Sequence, residues 1–260
     1  MMASSATMEN NFECPSKKDV YRIWQESAPK IKFGEHELNI ELEGIGEFFM
    51  QKAKEELRET PEIIAESCTQ LTELIAGEPD LKVPNDEEFY KMFLRPCKYY
   101  PKSAFSLMKR YYRFRLNYPH IYADLLPSKE KTAFCANLIY PLPFRAKDGS
   151  RILIIEGGKR WNPKEVSLNT LLRGLIIMLY MAVAEPKNQE KIRKRIHFHG
   201  TNWESLMIYI DQKALLKRHG GELDMPEGPF GMTLWESILL CESFFEVDQQ
   251  YGYKTDNNIK

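Results

Sequence analysis

The chain has 260 residues, of which 43% are hydrophobic and 28% are charged, and this composition is typical of a folded globular protein. Its 36 basic and 37 acidic residues leave a net charge of −1. This balance argues against a general nucleic-acid binder, which needs a surplus of lysine and arginine to neutralise phosphates. The five cysteines are scattered without a C-x-x-C pair, a pattern that indicates reduced thiols in the cytosol.

Residues 1–30 are polar and irregular, and we expect them to be disordered. They lack the basic region and the apolar core of a secretory signal. The most apolar run, residues 174–184, falls well short of the roughly 20 residues that a membrane span requires. These features predict a soluble, cytoplasmic protein.

Helical signals dominate the next segment, which we interpret as a helical domain over residues 46–126. Apolar residues recur at helical spacing after Gly46. Thr60 and Pro61 form the capped start of a second helix that stops at Gly77. Asn85 with Glu88 has the pattern of a capping box for a third helix. A fourth helix is predicted to begin at Pro101.

After Pro127 the pattern becomes mixed α/β. Two β-type runs, residues 137–140 and 151–155, flank an Asp-Gly turn that is typical of a hairpin. A long apolar helix is predicted to start at Asn162 and to reach Ala184. The remaining predictions are a strand at 195–200 and capped helices opened by Thr201 and Thr233. The fold class is therefore helix-rich α/β, with a helical bundle first.

Several motifs, in this order, resemble the CRAL-TRIO lipid-transfer family, and within it most of all the tocopherol-transfer proteins. DEEFYKMFLR (86–95) and RYYRFR (110–115) resemble its helical N-terminal part. DGSRILI (148–154), WNP (161–163) and Glu185-Pro186 with Gln189 resemble the start of its lipid-binding domain. KIRKRIHFHG (191–200) and KRHGG (217–221) resemble the end of that domain. The resemblance implies a lipid-binding domain over 127–222, followed by a C-terminal helix and tail over 223–260.

One departure from the family pattern lies between Gln189 and Glu190. In the family, central parallel strands and a gating helix separate the two motifs that meet at this junction. The missing portion corresponds to roughly two strand–helix units of about 30 residues each. We therefore expect an internally truncated lipid-binding domain, produced by a skipped exon or by a gene-model error.

The apolar helix at 166–184 carries the predicted lipid contacts. A helix that is apolar on most sides is buried in a protein core or faces an apolar ligand, and its composition alone favours the core. The resemblance implies a cavity wall instead. By matching position, Leu172, Leu175, Met178 and Leu179 would face the ligand. Two strand residues that share one face, Ile152 and Ile154, would continue the wall.

A basic run follows this helix, with Glu190 as its only acid over residues 187–195. One interpretation is a solvated helix face. The other is recognition of anionic lipid head groups, since Lys191 and Arg195 lie four residues apart and would share a helix face. The resemblance implies that these two residues bind phosphoinositides and dock the protein peripherally on a membrane.

No catalytic machinery is predicted, and we expect neither an enzyme nor a cofactor. His197 and His199 share a predicted strand face, as a pair of zinc ligands does, but no third ligand has suitable spacing, so no metal site is predicted. Gly157-Gly158-Lys159 lacks the spacing of a phosphate-binding loop. No G-x-S-x-G elbow is present.

The leading hypothesis is a monomeric carrier of a hydrophobic lipid of tocopherol or retinoid type that docks on phosphoinositide membranes. The alternative is a splice-shortened form without carrier activity that acts as a phosphoinositide-binding or interaction module. The alternative is favoured on physical grounds. Loss of the central strands would leave the outer strands without hydrogen-bonding partners and would leave the apolar helix at 166–184 uncovered. We therefore expect that the second half is not compact.

Overall fold

The computed structural model describes residues 17–41, 47–147, 149–158, 160–185, 188, 203–225 and 229–254. The predicted strand at 195–200, the helix cap Thr201 and the junction after Gln189 lie outside these residues. The helices are α1 Lys17–Ser27, α2 Glu47–Leu57, α3 Pro61–Ala76, α4 Glu87–Leu94, α5 Pro101–Asn117, α6 Pro119–Tyr122, α7 Lys131–Cys135, α8 Leu168–Ala184, α9 Trp203–Met207, α10 Phe230–Leu239 and α11 Glu242–Asp248. The strands are β1 Lys32–Phe33, β2 His36–Glu37, β3 Leu81–Lys82, β4 Ile139–Arg145, β5 Arg151–Ile155 and β6 Gly252–Tyr253.

The predicted helix-rich α/β fold class is confirmed. None of the described helices is both long and apolar enough to cross a bilayer.

Helices α3, α4 and α5 pack around one apolar cluster. The predicted cap of α3 is confirmed, since the Thr60 hydroxyl accepts a hydrogen bond from the Ile63 amide at 3.3 Å. Pro101 opens α5 as predicted. The buried members of the cluster are Leu71, Leu81, Phe89, Tyr90, Phe93, Leu94, Tyr99, Ala104, Met108 and Tyr112. The strand β6 pairs antiparallel with β3, so the C-terminal segment returns to this helical bundle.

The cap of α4 differs from the prediction by one residue. Asp86, rather than Asn85, is the N-cap, and its carboxylate accepts hydrogen bonds from the amides of Glu88 and Phe89 at 2.6 and 3.2 Å. The Asn85 side chain instead accepts a hydrogen bond from the Tyr90 hydroxyl. A carboxylate at this position also interacts favourably with the helix dipole, which explains the shift.

The predicted hairpin is confirmed as β4 and β5, which pair antiparallel with a register irregularity between Pro141 and Arg145. The long apolar helix begins later than predicted, at Leu168, because Ser167 is its cap and accepts a hydrogen bond from the Thr170 amide at 3.1 Å. Asn162 caps a separate turn, accepting a hydrogen bond from the Lys164 amide. The Val166 carbonyl is occupied by the Trp161 indole at 2.8 Å and is not part of the helix.

The C-terminal helical prediction also needs correction. Helix α10 begins at Phe230, directly after Pro229, so Thr233 lies inside the helix and is not its cap. The helix ends at Leu239, and a separate helix, α11, begins at Glu242 and carries Phe245. Pro229 occupies the N-cap position, where its missing backbone N–H costs no intrahelical hydrogen bond, so the helix begins there and Thr233 falls within it.

The prediction of a disordered start is wrong for residues 17–30, which include helix α1, and residues 1–16 lie outside the described part. Helix α1 buries Val20 and Trp24, and the following segment buries Ile31 and Phe33. The Trp24 indole donates a hydrogen bond to the Ser237 hydroxyl in α10 at 2.8 Å. Disorder was predicted because this segment has few apolar residues. A helix with few apolar residues still folds when all of them lie on one face and pack against a core.

The expectation that the second half is not compact is wrong for its described residues. A single buried cluster joins the hairpin, α7, α8, α10 and α11 with α1 and β1. The N-terminal segment therefore supplies apolar surface that covers the hairpin, α8 and α10. Burial of this surface offsets the loss that truncation would cause.

Candidate lipid-binding site

Helix α8 has a buried face that packs against the protein's own core. This face consists of Leu171, Gly174, Ile177, Met178, Met181 and Ala184, which recur at helical spacing. A Cβ atom added to Gly174 would lie 2.6 Å from the Cβ of Ala133. Glycine is therefore required at this position for the close approach of α7 and α8.

The opposite side of α8 carries a second set of apolar residues, the leucine strip, formed by Leu168, Leu172, Leu175 and Leu179. At 100° per residue these four side chains fall within one narrow arc. Leu168 is 55% exposed and the other three are half-buried. The leucine strip is therefore apolar surface that the described part of the chain covers incompletely.

The charged residue of α8 does not interrupt this strip. Arg173 forms an ion pair with Glu130 at 2.5 Å. Its guanidinium also donates hydrogen bonds to the backbone carbonyls of Ile121, Ala123 and Asp124 at 2.8–2.9 Å. Because all these partners lie on the side of residues 121–130, the leucine strip keeps a purely apolar character.

The six predicted lipid contacts do not lie on a single surface. Ile152 and Met178 are buried in the protein core, with 7% and 5% exposure. Ile154 is partly buried against that core, and so is Leu175, which also belongs to the leucine strip. Leu172 and Leu179 are half-buried in the leucine strip. The predicted wall is thus divided between the core and the strip.

The predicted phosphoinositide contacts, Lys191 and Arg195, lie outside the described residues, as do His197 and His199. Within the described part of the chain, no group of three or more histidine, cysteine, aspartate or glutamate side chains is placed to hold a metal ion. An open cleft of about 610 Å³ lies between α2 and α3, and it contains none of the predicted lipid contacts. Its lining combines Glu47, Glu59 and Glu62 with Lys54 and the apolar Met50 and Ile64.

A buried ionic cluster, centred on Glu185, lies at the C-terminal end of α8. Arg151 contacts both carboxylate oxygens at 2.5 and 3.1 Å, and Arg145 contacts one of them at 3.0 Å. The amide of Glu41 and the side chain of Asn188 donate to the same carboxylate. This cluster was not predicted from the sequence, although the two arginines at the turn ends of the hairpin strands were a usable signal. The cluster ties the N-terminal segment, the hairpin and α8 together.

A second cluster surrounds Glu156, just after β5. The Tyr140 hydroxyl donates to its carboxylate at 2.6 Å, and Arg218 forms an ion pair with it. Arg160 lies 3.0 Å from the other oxygen, and His219 lies 3.6 Å away. Burial and, next, the positive charge of Arg218 hold the pKa of His219 below its ordinary value of 6.5, although Glu156 acts in the opposite direction.

This cluster predicts an acid-sensitive contribution to stability. The unfolded imidazole takes up a proton as the pH falls through about 6.5, whereas the folded one resists protonation, so the free energy of unfolding falls below that pH. We expect a His219→Gln variant to lose less stability than the parent chain between neutral pH and pH 5, measured by urea denaturation. A His120→Gln variant, changed at an exposed site, is the control and should behave as the parent. Equal acid sensitivity of all three proteins would contradict the assignment.

Comparison with known proteins gives a consistent set of relatives, although no protein-family model matches the chain. The human alpha-tocopherol transfer protein-like protein is 26% identical over 144 residues, which cover 55% of this chain and 42% of that protein. Mouse clavesin-1 is 25% identical over 282 residues, covering 82% of this chain and 78% of its own length. Mouse clavesin-2 is 20% identical, with coverage of 82% and 84%. The chain thus spans less than half the length of the tocopherol-type relatives it matches.

The clavesin-1 alignment also bears on the predicted truncation. It extends over 282 positions, more than the 260 residues of the chain. Since 82% of 260 residues is about 213, about 70 aligned positions face no residue of this chain. That deficit matches the expected loss of two strand–helix units in size. The predicted resemblance is therefore confirmed, and the chain is a relative, at modest identity, of the alpha-tocopherol transfer protein-like proteins and clavesins of the CRAL-TRIO family.

Proposed function

We propose that the chain binds a hydrophobic small molecule of tocopherol or retinoid type and transfers it between membranes without catalysis. The observation that carries this proposal is the leucine strip on α8, defined above. It is purely apolar, it is incompletely covered, and it includes Leu172, Leu175 and Leu179 at positions that match the lipid-facing helix of the family. The names of the tocopherol-type relatives support a lipid of this class.

The binding energy would come from removal of apolar surface from water. Each Å² that the ligand covers contributes about 25 cal/mol, and full burial of one leucine contributes about 1.5–3 kcal/mol. Because the three inner leucines are already half-buried, each retains part of this amount for a ligand. No polar group lies in the strip, so it would select for apolarity and shape.

Membrane docking completes the proposed transfer cycle. Lys191 and Arg195 would engage a phosphoinositide head group, at about 1 kcal/mol for each basic residue near the surface. The protein would act as a monomer, peripherally and from the cytoplasmic side, and its apolar surface would open while the basic residues contact the bilayer. Nucleic acid is not among the proposed partners.

One observation favours the alternative, a splice-shortened form without carrier activity that acts as a phosphoinositide-binding or interaction module. Ile152 and Met178 would line the lipid cavity, yet both are buried by the protein's own side chains. Because the core covers these two positions, they are not available to line a lipid cavity.

Native mass spectrometry of the purified chain tests both candidates. We expect a compact charge distribution with a co-purified lipid adduct, and we expect Leu175→Asp to lower lipid binding about tenfold or more, because a carboxylate cannot be buried against an apolar ligand. Ile208→Asp is the control, since Ile208 is 67% exposed and lies outside α8. Absence of an adduct from the parent chain, together with improved solubility of Leu175→Asp, would favour the module. Retention of the adduct by Leu175→Asp would contradict the leucine strip as the binding surface.

A further inference from the structure

The helical bundle contains a stretch with an unusual charge distribution. Residues 89–123 include eight lysine and arginine residues and no aspartate or glutamate, whereas the whole chain has 36 basic and 37 acidic residues. Part of this stretch, RYYRFR (110–115), belongs to the motifs that resemble the CRAL-TRIO family. The proposed lipid carriage uses none of these residues.

The structure places many of the stretch's polar side chains on the outward face of α5. Lys102, Arg110 and Arg113 are exposed and lie within about half a turn of one another around the helix axis. The opposite face buries Ala104 and Met108 in the bundle core. The outward face of α5 thus carries one exposed cation near the start of the helix and two in its second half.

Exposed apolar side chains mark the point where α5 turns into α6. Phe114, Leu116 and Tyr118 are 47%, 42% and 42% exposed. The rings of Phe114 and Tyr118 are in tilted contact, with their centroids 4.4 Å apart. All residues from 116 to 120 are exposed, so this corner projects from the bundle and does not line a groove.

The positive charges of this face are poorly compensated. Lys102 and Arg110 form no ion pair with any residue in the described ranges. Arg113 lies 3.8 Å from Glu78, a carboxylate that also pairs with Lys109 at 3.3 Å. One carboxylate therefore serves two cations, and the face keeps a net positive charge.

We propose that the outward face of α5 and the α5–α6 corner form a docking surface for an anionic phospholipid bilayer. Aromatic side chains settle at the membrane–water interface, and basic side chains beside them attract the negative surface. The projecting Phe114 and Leu116 add apolar contact that a phosphate backbone would leave unmatched, which favours a bilayer over a nucleic acid. The surface requires neither a bound lipid nor Lys191 and Arg195, so it goes beyond the proposed function.

Co-sedimentation with vesicles of phosphatidylcholine and phosphatidylserine tests the docking surface. Each basic residue near an anionic surface raises binding about fivefold, so the double variant Lys102→Ala/Arg110→Ala should bind about 30-fold more weakly than the parent chain. The control is Lys164→Ala/Lys213→Ala, which removes the same charge from exposed positions elsewhere. It should lose much less. Equal losses by the two double variants, or no sedimentation of the parent chain, would overturn the proposal.

Two further measurements separate this surface from other partners. Phe114→Ala/Tyr118→Ala should also weaken vesicle binding while the slope of binding against salt concentration stays unchanged, because no charge is removed. Lys191→Ala/Arg195→Ala should reduce binding to phosphatidylinositol bisphosphate vesicles and leave binding to phosphatidylserine vesicles largely intact. A failure of the proposed phosphoinositide site is thereby distinguished from a failure of the α5 docking surface. If Lys102→Ala/Arg110→Ala loses binding to single-stranded RNA but not to vesicles, the surface serves nucleic acid and the bilayer proposal is wrong.

Discussion

A Trp24→Ala variant is expected to be less stable than the parent chain by about 3–5 kcal/mol, the usual cost of deleting a large aromatic side chain from a core. Trp24 is 7% exposed and belongs to the same buried cluster as the hairpin and α8. Its loss also leaves the Ser237 hydroxyl without its hydrogen bond from the indole. Urea denaturation followed by far-ultraviolet circular dichroism measures the change.

The neighbouring Ile23 provides the matched control. It lies on the same helix and is 43% exposed, so Ile23→Ala should change the free energy of unfolding by no more than about 0.5 kcal/mol. The comparison separates core packing from a general effect on helix α1. If the two variants unfold at the same denaturant concentration, α1 contributes nothing to the core.

Replacement of Glu185 by alanine should have an effect of similar size, about 3–5 kcal/mol, because it leaves the buried Arg151 without its carboxylate partner, whereas Arg145 keeps its ion pair with Glu41 at 3.2 Å. The side chains of Glu185 and Arg151 are only 6% and 7% exposed, so water cannot replace the lost carboxylate. Arg145 and the amide of Glu41 lose a partner in the same step. Thermal or urea denaturation reports the loss.

Arg160→Ala is the control for this cluster. Arg160 also forms an ion pair, with Glu156, but its side chain is 49% exposed, and exposed pairs contribute about 0–1 kcal/mol. Destabilisation of Glu185→Ala by less than 1 kcal/mol would show that the cluster does not join the N-terminal segment to α8. A large loss confined to Glu185→Ala would support that role.

The local elements were predictable because their signals are local. Thr60 before Pro61, Pro101 before an apolar-periodic segment, and the Asp-Gly turn between two β-type runs each specify backbone geometry within a few residues. The structure confirms α3, α5 and the hairpin at these places. Errors of one to six residues arose where two local signals competed, as with Asn85 and Asp86 or Asn162 and Ser167.

The apolar character of α8 was also evident in the sequence, but its division into two faces was not. The composition shows that α8 is apolar on most sides. A face that packs on the protein core and a face that binds an apolar ligand both require apolar residues, so the sequence does not distinguish them. Only the tertiary structure shows that Met178 faces the core while Leu172 and Leu179 lie in the leucine strip.

By itself, the sequence determined the helix-rich class, the capped helices, the hairpin and the resemblance to a lipid-transfer family, because each depends on residue types at short spacing. The tertiary structure decided three other points. Val20, Trp24, Ile31 and Phe33 belong to the core, Glu185 pairs with two arginines, and one face of α5 carries exposed cations. These features depend on contacts between residues far apart in the chain, as between Trp24 and Ser237 or Glu41 and Glu185, and no local pattern encodes such pairings.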